Sequence, residues 1–172
     1  MGKSLRFAVT FLLLFGASAG AFEASRGTAF EHFAVVDLIL VPSVALINVV
    51  TPSDRVELSG RTLVSGSLRL HVTRGCEGIE LLLLLTAAIA AFPARLGYKL
   101  QGWLIGSLLA YVLSVARLVT LDYTLRYAPG GWEAMHGLIM PLVPVMGMAL
   151  YFLHWSGNGG ARSAPRATSH AA

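Results

Sequence analysis

LQGWLIGSLLAYVLSVARLVTL, residues 100–121, holds no charged side chain until Arg117. A helix rises about 1.5 Å per residue and the hydrocarbon core of a bilayer is about 30 Å thick, so this stretch is long enough to cross one. Four further apolar stretches surround it: Phe7–Phe22, Phe33–Val50, Ile79–Ala94 and Met135–Trp155. Over all 172 residues, 55% are hydrophobic and only 13% charged, with a mean hydropathy of +0.68. A soluble domain carries about 25% charged residues. The deficit predicts an all-α integral membrane protein and leaves too little chain for a separate soluble catalytic domain. Residues 1–155 read as one membrane-embedded domain, and residues 156–172, rich in Gly, Ser and Ala, as a disordered cytoplasmic tail.

The charges set the expected topology. Lys3 and Arg6 precede the first stretch, Arg95 and Lys99 lie between the third and fourth, and Arg162 and Arg166 follow the last. All nine acidic residues lie in the other connections or near their helix ends. The positive-inside rule places the first group in the cytoplasm and the second outside. The excess of basic residues then follows from topology, and no nucleic-acid partner is needed to explain it. If Phe33–Val50 crossed the membrane, Arg95 and Lys99 would be external. That stretch also contains Asp37, Pro42 and Asn48, each costly against lipid. The expectation is therefore about four transmembrane helices, an interfacial helix at Phe33–Val50, and localisation in a bacterial cytoplasmic membrane.

At the N-terminus, Ala17-Ser18-Ala19 after a short apolar run also suits a cleavable signal, whereas continuation of the run to Phe22 favours a retained helix. Either leaves the downstream topology unchanged. Val56 and Leu58, then Leu68, Leu70 and Val72, alternate with polar residues around Ser65-Gly66-Ser67, which predicts a short extracytoplasmic β-hairpin leading to Cys76. Phosphate-cradling glycine motifs and zinc spacings are absent from the sequence, so no cofactor or metal is expected.

Three groups fall at one expected depth: Cys76 before the third stretch, Arg117 near the outer end of the fourth, and His136 at the outer start of the fifth. Arg117 lies roughly 25 Å along its helix from Leu100. Singly, each has an ordinary explanation: a packing thiol, a snorkelling arginine, an interfacial imidazole. Together they suit nucleophilic acyl transfer. A helix N-terminus and nearby cations favour the thiolate of Cys76, His136 serves as base, and Arg117 holds the oxyanion or orients the carbonyl. Asp122 and Glu133 are outside candidates to orient His136. A membrane assembly or anchoring subunit for surface protein or polymer export, with Cys76 packing and Arg117 binding a partner, is the non-catalytic alternative.

Arg74-Gly75-Cys76-Glu77-Gly78-Ile79, then an apolar helix, an arginine late in the next helix and a histidine opening the last, resembles the exosortase/archaeosortase family of integral membrane cysteine transpeptidases, in its short single-domain form. The likeness runs from about Asn48 to Trp155. It implies that Cys76 is the nucleophile, Arg117 the required arginine and His136 the third member. The implied substrates are membrane-anchored proteins whose C-terminal sorting signal comprises a short motif, a transmembrane helix and a basic cluster. Ser114 and Leu118 stand where many members have asparagine and isoleucine, and Glu77 replaces a small or amide residue. A carboxylate beside a thiol opposes thiolate formation.

Overall fold

Residues 2–52, 54–73, 75 and 77–162 are described by the computed structural model. The first apolar run forms α1 (Lys3–Ala24). A turn at Gly27 leads into α2 (Ala29–His32), where Thr28 caps the Glu31 N–H and the Glu31 carboxylate reaches back to the Gly27 N–H at 2.8 Å. This is close to a capping box, in which a threonine and a glutamate satisfy each other's backbone donors. The helix continues without a break through a π-helical segment, Phe33–Leu40, into α3 (Val41–Val50). A second π segment, Met135–Ile139, joins α6 (Trp132–Ala134) to α7 (Met140–Arg162). Each π segment ends just before a proline, Pro42 or Pro141. Proline has no N–H and its ring collides with the carbonyl four residues back, so a locally wider turn lets the helix pass through it.

Between α3 and the third apolar stretch lies an antiparallel sheet in the order β1 (Glu57–Ser59), β2 (Thr62–Ser65), β3 (Leu68–His71). Leu63 faces Leu58 on one side and Leu70 on the other. The expected hairpin is thus a three-stranded meander with an additional turn at Gly60 and Arg61. Its buried face, with Val56, Leu63, Leu70 and Val72, shares a core with Val35, Leu40 and Ile47 of the 29–50 helix and with Leu118 and Leu121 of the fourth apolar stretch.

α4 (Ile79–Ala91) starts at Gly78, whose φ of +78° ends the preceding loop, and stops before Pro93, which holds Phe92 extended. α5 (Leu96–Tyr127) runs antiparallel to it: Gly78 lies on Ser114, Leu85 on Gly106, and Ala90 O accepts from Lys99 Nζ at 2.7 Å. α7 returns along α5, with Gly147 near Leu113, Tyr151 at Gly106 and Trp155 at Gly102. A Cβ added at Gly102 would overlap the Trp155 indole. Gly102→Ala is therefore expected to cost about 1–3 kcal/mol through overpacking, read as a lower melting temperature of the detergent-solubilised chain.

Four helices are long and apolar enough to cross a bilayer: residues 4–24, 29–50, 96–127 and 129–158. The number agrees with expectation, but two members differ. Residues 29–50 qualify, because Pro42 is absorbed by the π segment and Asn48 pairs with backbone, donating to Val56 O at 3.0 Å and accepting from Val56 N at 2.8 Å. α4, at 13 residues, falls below the usual length, because Gly75, Glu77 and Gly78 stay non-helical. Both ends of the 29–50 helix meet the sheet region: Glu31 is 3.1 Å from Arg61 Nη1, and Asn48 binds Val56. α7 continues past Trp155 to Arg162, into the stretch expected to be disordered, and residues 163–172 lie outside the described residues.

Candidate functional site

Between β3 and α4, Gly75 and Gly78 lie against α5. Arg117, 8% exposed, donates from Nη1 to the Gly75 carbonyl at 2.6 Å. One turn earlier on the same face, Ser114 is buried against Gly78, where any side chain would overlap Ser114 Oγ. Position 114 must be small for this approach. Gly78→Ala combines that overlap with a positive φ and is expected to cost more than Gly102→Ala, with its melting transition and the binding of α4 to α5 both affected.

Cys76 lies between these two anchored glycines in sequence and outside the described residues. Arg117 is on the face of α5 that receives its neighbours. His136 sits on the π segment opening the last long helix. The α5–α7 register, set by Leu113 with Gly147 and Gly106 with Tyr151, puts His136 opposite residues 121–124. That is one to two turns beyond Arg117, about 6–10 Å along the axis. Arg117 and His136 thus stand on neighbouring helices near the same end.

The imidazole of His136 stacks on Trp132, with centroids 5.0 Å apart and planes inclined by 6°. Its Nδ1 is buried and has no hydrogen-bond partner among the described residues. The ring is held by an aromatic face rather than by a carboxylate. Asp122 is not available for that role, because Arg126 Nε and Nη2 occupy its two oxygens at 2.7 and 3.1 Å. Arg126 also donates to Asp54 O and Ser65 Oγ, tying the end of α5 to the sheet. Glu133 is exposed. The Trp132/His136 pair is spaced i, i+4, the separation at which helical side chains meet, and that spacing is the signal from which Trp132 could have been found. Trp132 also packs against the core beneath the sheet, so Trp132→Ala is expected to free the imidazole and to lower the melting temperature, checked by melting measurements on the detergent-solubilised chain.

Glu77 is fully buried, and its Oε1 accepts from Arg61 Nη2 at 2.5 Å. Arg61 is the counter-charge that this buried carboxylate meets.

An open apolar cleft of about 530 Å³ lies between α1, the 29–50 helix, α4 and α5, with Ala21, Phe33, Leu82, Ala110, Gly78 and Ser114 in its lining. Gly78 and Ser114 are where the segment preceding α4 meets α5.

No protein-family model matches the chain, and comparison with curated proteins and with solved structures finds no match.

Proposed function

We propose that the chain is a membrane-embedded cysteine peptidase or transpeptidase of exosortase type, acting on proteins that carry a C-terminal sorting signal. The observation that carries this is the seating of Gly75 and Gly78, the residues around the chain's single cysteine, on Arg117 and Ser114 of α5. Non-helical backbone at membrane depth is tolerated only where protein or a water-lined cavity covers it. A segment held there by a buried arginine is expensive to keep without a task.

In the proposed topology α1, α4 with its preceding segment, α5 and α7 cross the membrane. The 29–50 helix lies along the outer surface beneath the sheet. Its support is that both helix ends bond to residues of the sheet region, although a crossing helix of that length would separate its ends by about 30 Å. Lys3, Arg6, Arg95 and Lys99 then share the cytoplasmic side.

In the proposed reaction the Cys76 thiol gives its proton to the imidazole of His136, and the sulfur attacks the substrate carbonyl carbon. The tetrahedral oxyanion that forms takes hydrogen bonds from the guanidinium of Arg117, which also donates from Nη1 to Gly75 O. Collapse breaks the C–N bond, the imidazolium returns the proton to the leaving amine, and a thioester remains on Cys76. An incoming amine or water then attacks the thioester, and the thiol is regenerated. The apolar cleft beside Gly78, lined partly by small residues, gives the transmembrane helix of the substrate a surface to pack on.

The test is transfer of a candidate tail, comprising a short motif, an apolar helix and a basic cluster, to an unrelated exported reporter. Cleavage of the reporter only in cells containing this chain supports the proposal, and identical reporter mass with and without it refutes it. Filling the cleft from α1 with Ala21→Phe, at an exposed lining position, is expected to reduce cleavage at least about tenfold, measured as the remaining uncleaved reporter.

A further inference from the structure

Glu77 is the most buried charged residue among those described, at 0% exposure. Its carboxylate pairs with Arg61, in the turn between β1 and β2. Arg61 is itself fixed on two other sides: its carbonyl accepts from the Val72 N–H at 2.9 Å, and Nη1 meets Glu31 at 3.1 Å. Glu31 in turn lies 3.9 Å from Arg26, which pairs with Glu23. An alternating chain of charge therefore runs from the end of α1, through the start of α2 and the sheet turn, to the residue after Cys76. On the other flank, Arg117 holds the carbonyl of the residue before it. Position 76 thus has a guanidinium tether on each side, one from the sheet and one from α5.

We infer that Arg61 and Glu77 are positioning residues for the Cys76 thiol. Glu77 serves as the second anchor of the reactive segment and does not act as a base toward the neighbouring sulfur. A buried ion pair adds little net stability over apolar side chains of the same volume, so the contribution of this pair is a fixed place for the backbone between its anchors. Releasing one anchor restores conformational freedom to the segment, and a displacement of about 1 Å can cost a reaction about 100-fold. The inference rests on the proposed function for its activity measurement and stands apart from it for thiol reactivity.

Cys76 is the only cysteine, so iodoacetamide reports its thiol alone in the full-length protein. Alkylation and tail-cleavage rates are compared for wild type, Glu77→Gln, Glu77→Asp and Arg61→Ala, each normalised to folded protein. Glu77→Gln keeps the reach and the oxygen acceptor but loses the charge, so both of its rates are expected between wild type and the other two variants; Glu77→Asp keeps the charge but falls a methylene short, and Arg61→Ala removes the anchor, so these two should alkylate about tenfold faster and cleave about tenfold more slowly. If Arg61→Ala does not fold, the Gln and Asp variants decide alone. Wild-type rates in Glu77→Asp, or loss in Glu77→Gln with Glu77→Asp intact, overturn the inference. The expected alkylation pattern without cleavage by any variant, wild type included, upholds the tether and removes the transpeptidase proposal.

Discussion

Replacing Cys76 with alanine is expected to abolish tail cleavage, with full-length substrate accumulating in the membrane fraction and cleaved product falling at least about 10³-fold. No other cysteine exists in the chain to substitute. Cys76→Ser is expected to fail almost as completely. At neutral pH a serine hydroxyl is far less ionised than a thiol and needs a stronger base, whereas the imidazole of His136 rests on Trp132 with no orienting carboxylate among the described residues. The alanine variant should fold, because Gly75 and Gly78 keep their seats on Arg117 and Ser114 without the sulfur. Undiminished cleavage by a folded Cys76→Ala chain would assign the thiol to packing and favour the assembly-subunit alternative.

The second large effect is expected at Arg117. Arg117→Ala removes the donor to Gly75 O and one of the two guanidinium tethers of the reactive segment, so cleavage should fall about 10²–10³-fold and the segment should loosen. Arg117→Lys is expected to be nearly as poor. One ammonium on a flexible stem cannot keep the Gly75 contact and also present further N–H groups to an oxyanion. Paired assays separate the two functions: iodoacetamide alkylation of Cys76 reads the anchoring, and single-turnover cleavage reads the chemistry. If Arg117→Lys cleaves at the wild-type rate, a point charge is sufficient and the oxyanion role is lost.

Much of the helical framework is legible from local chemistry. The body of α1 over Phe7–Phe22, the end of α4 at Phe92-Pro93 and the end of α5 before Pro129 each follow from an apolar run or from the restriction that proline places on its predecessor. Long-range pairing is not legible in this way. Asp37, Pro42 and Asn48 count against a long second helix, yet a π segment and the backbone of Val56 accommodate the last two. The middle strand is hidden because Leu63 and Val64 are adjacent apolar residues, and only their two neighbouring strands reveal which one faces inward. Glu77 looks adverse beside a thiol in the sequence, and Arg61, its partner, is brought to it by the meander. The continuation of α7 through Gly157 and Gly159 runs against the low helix propensity of glycine and had no local signal.

The proposed reaction requires the Cys76 thiol to face the outside of the cytoplasmic membrane, beside Arg117. The most direct test is a charged, membrane-impermeant maleimide applied to intact spheroplasts, since a single thiol makes the site of labelling unambiguous. Cys76 should be labelled before permeabilisation, and prior external labelling should block tail cleavage. Labelling that appears only after the membrane is opened to the cytoplasmic side would contradict the topology and the proposed reaction with it.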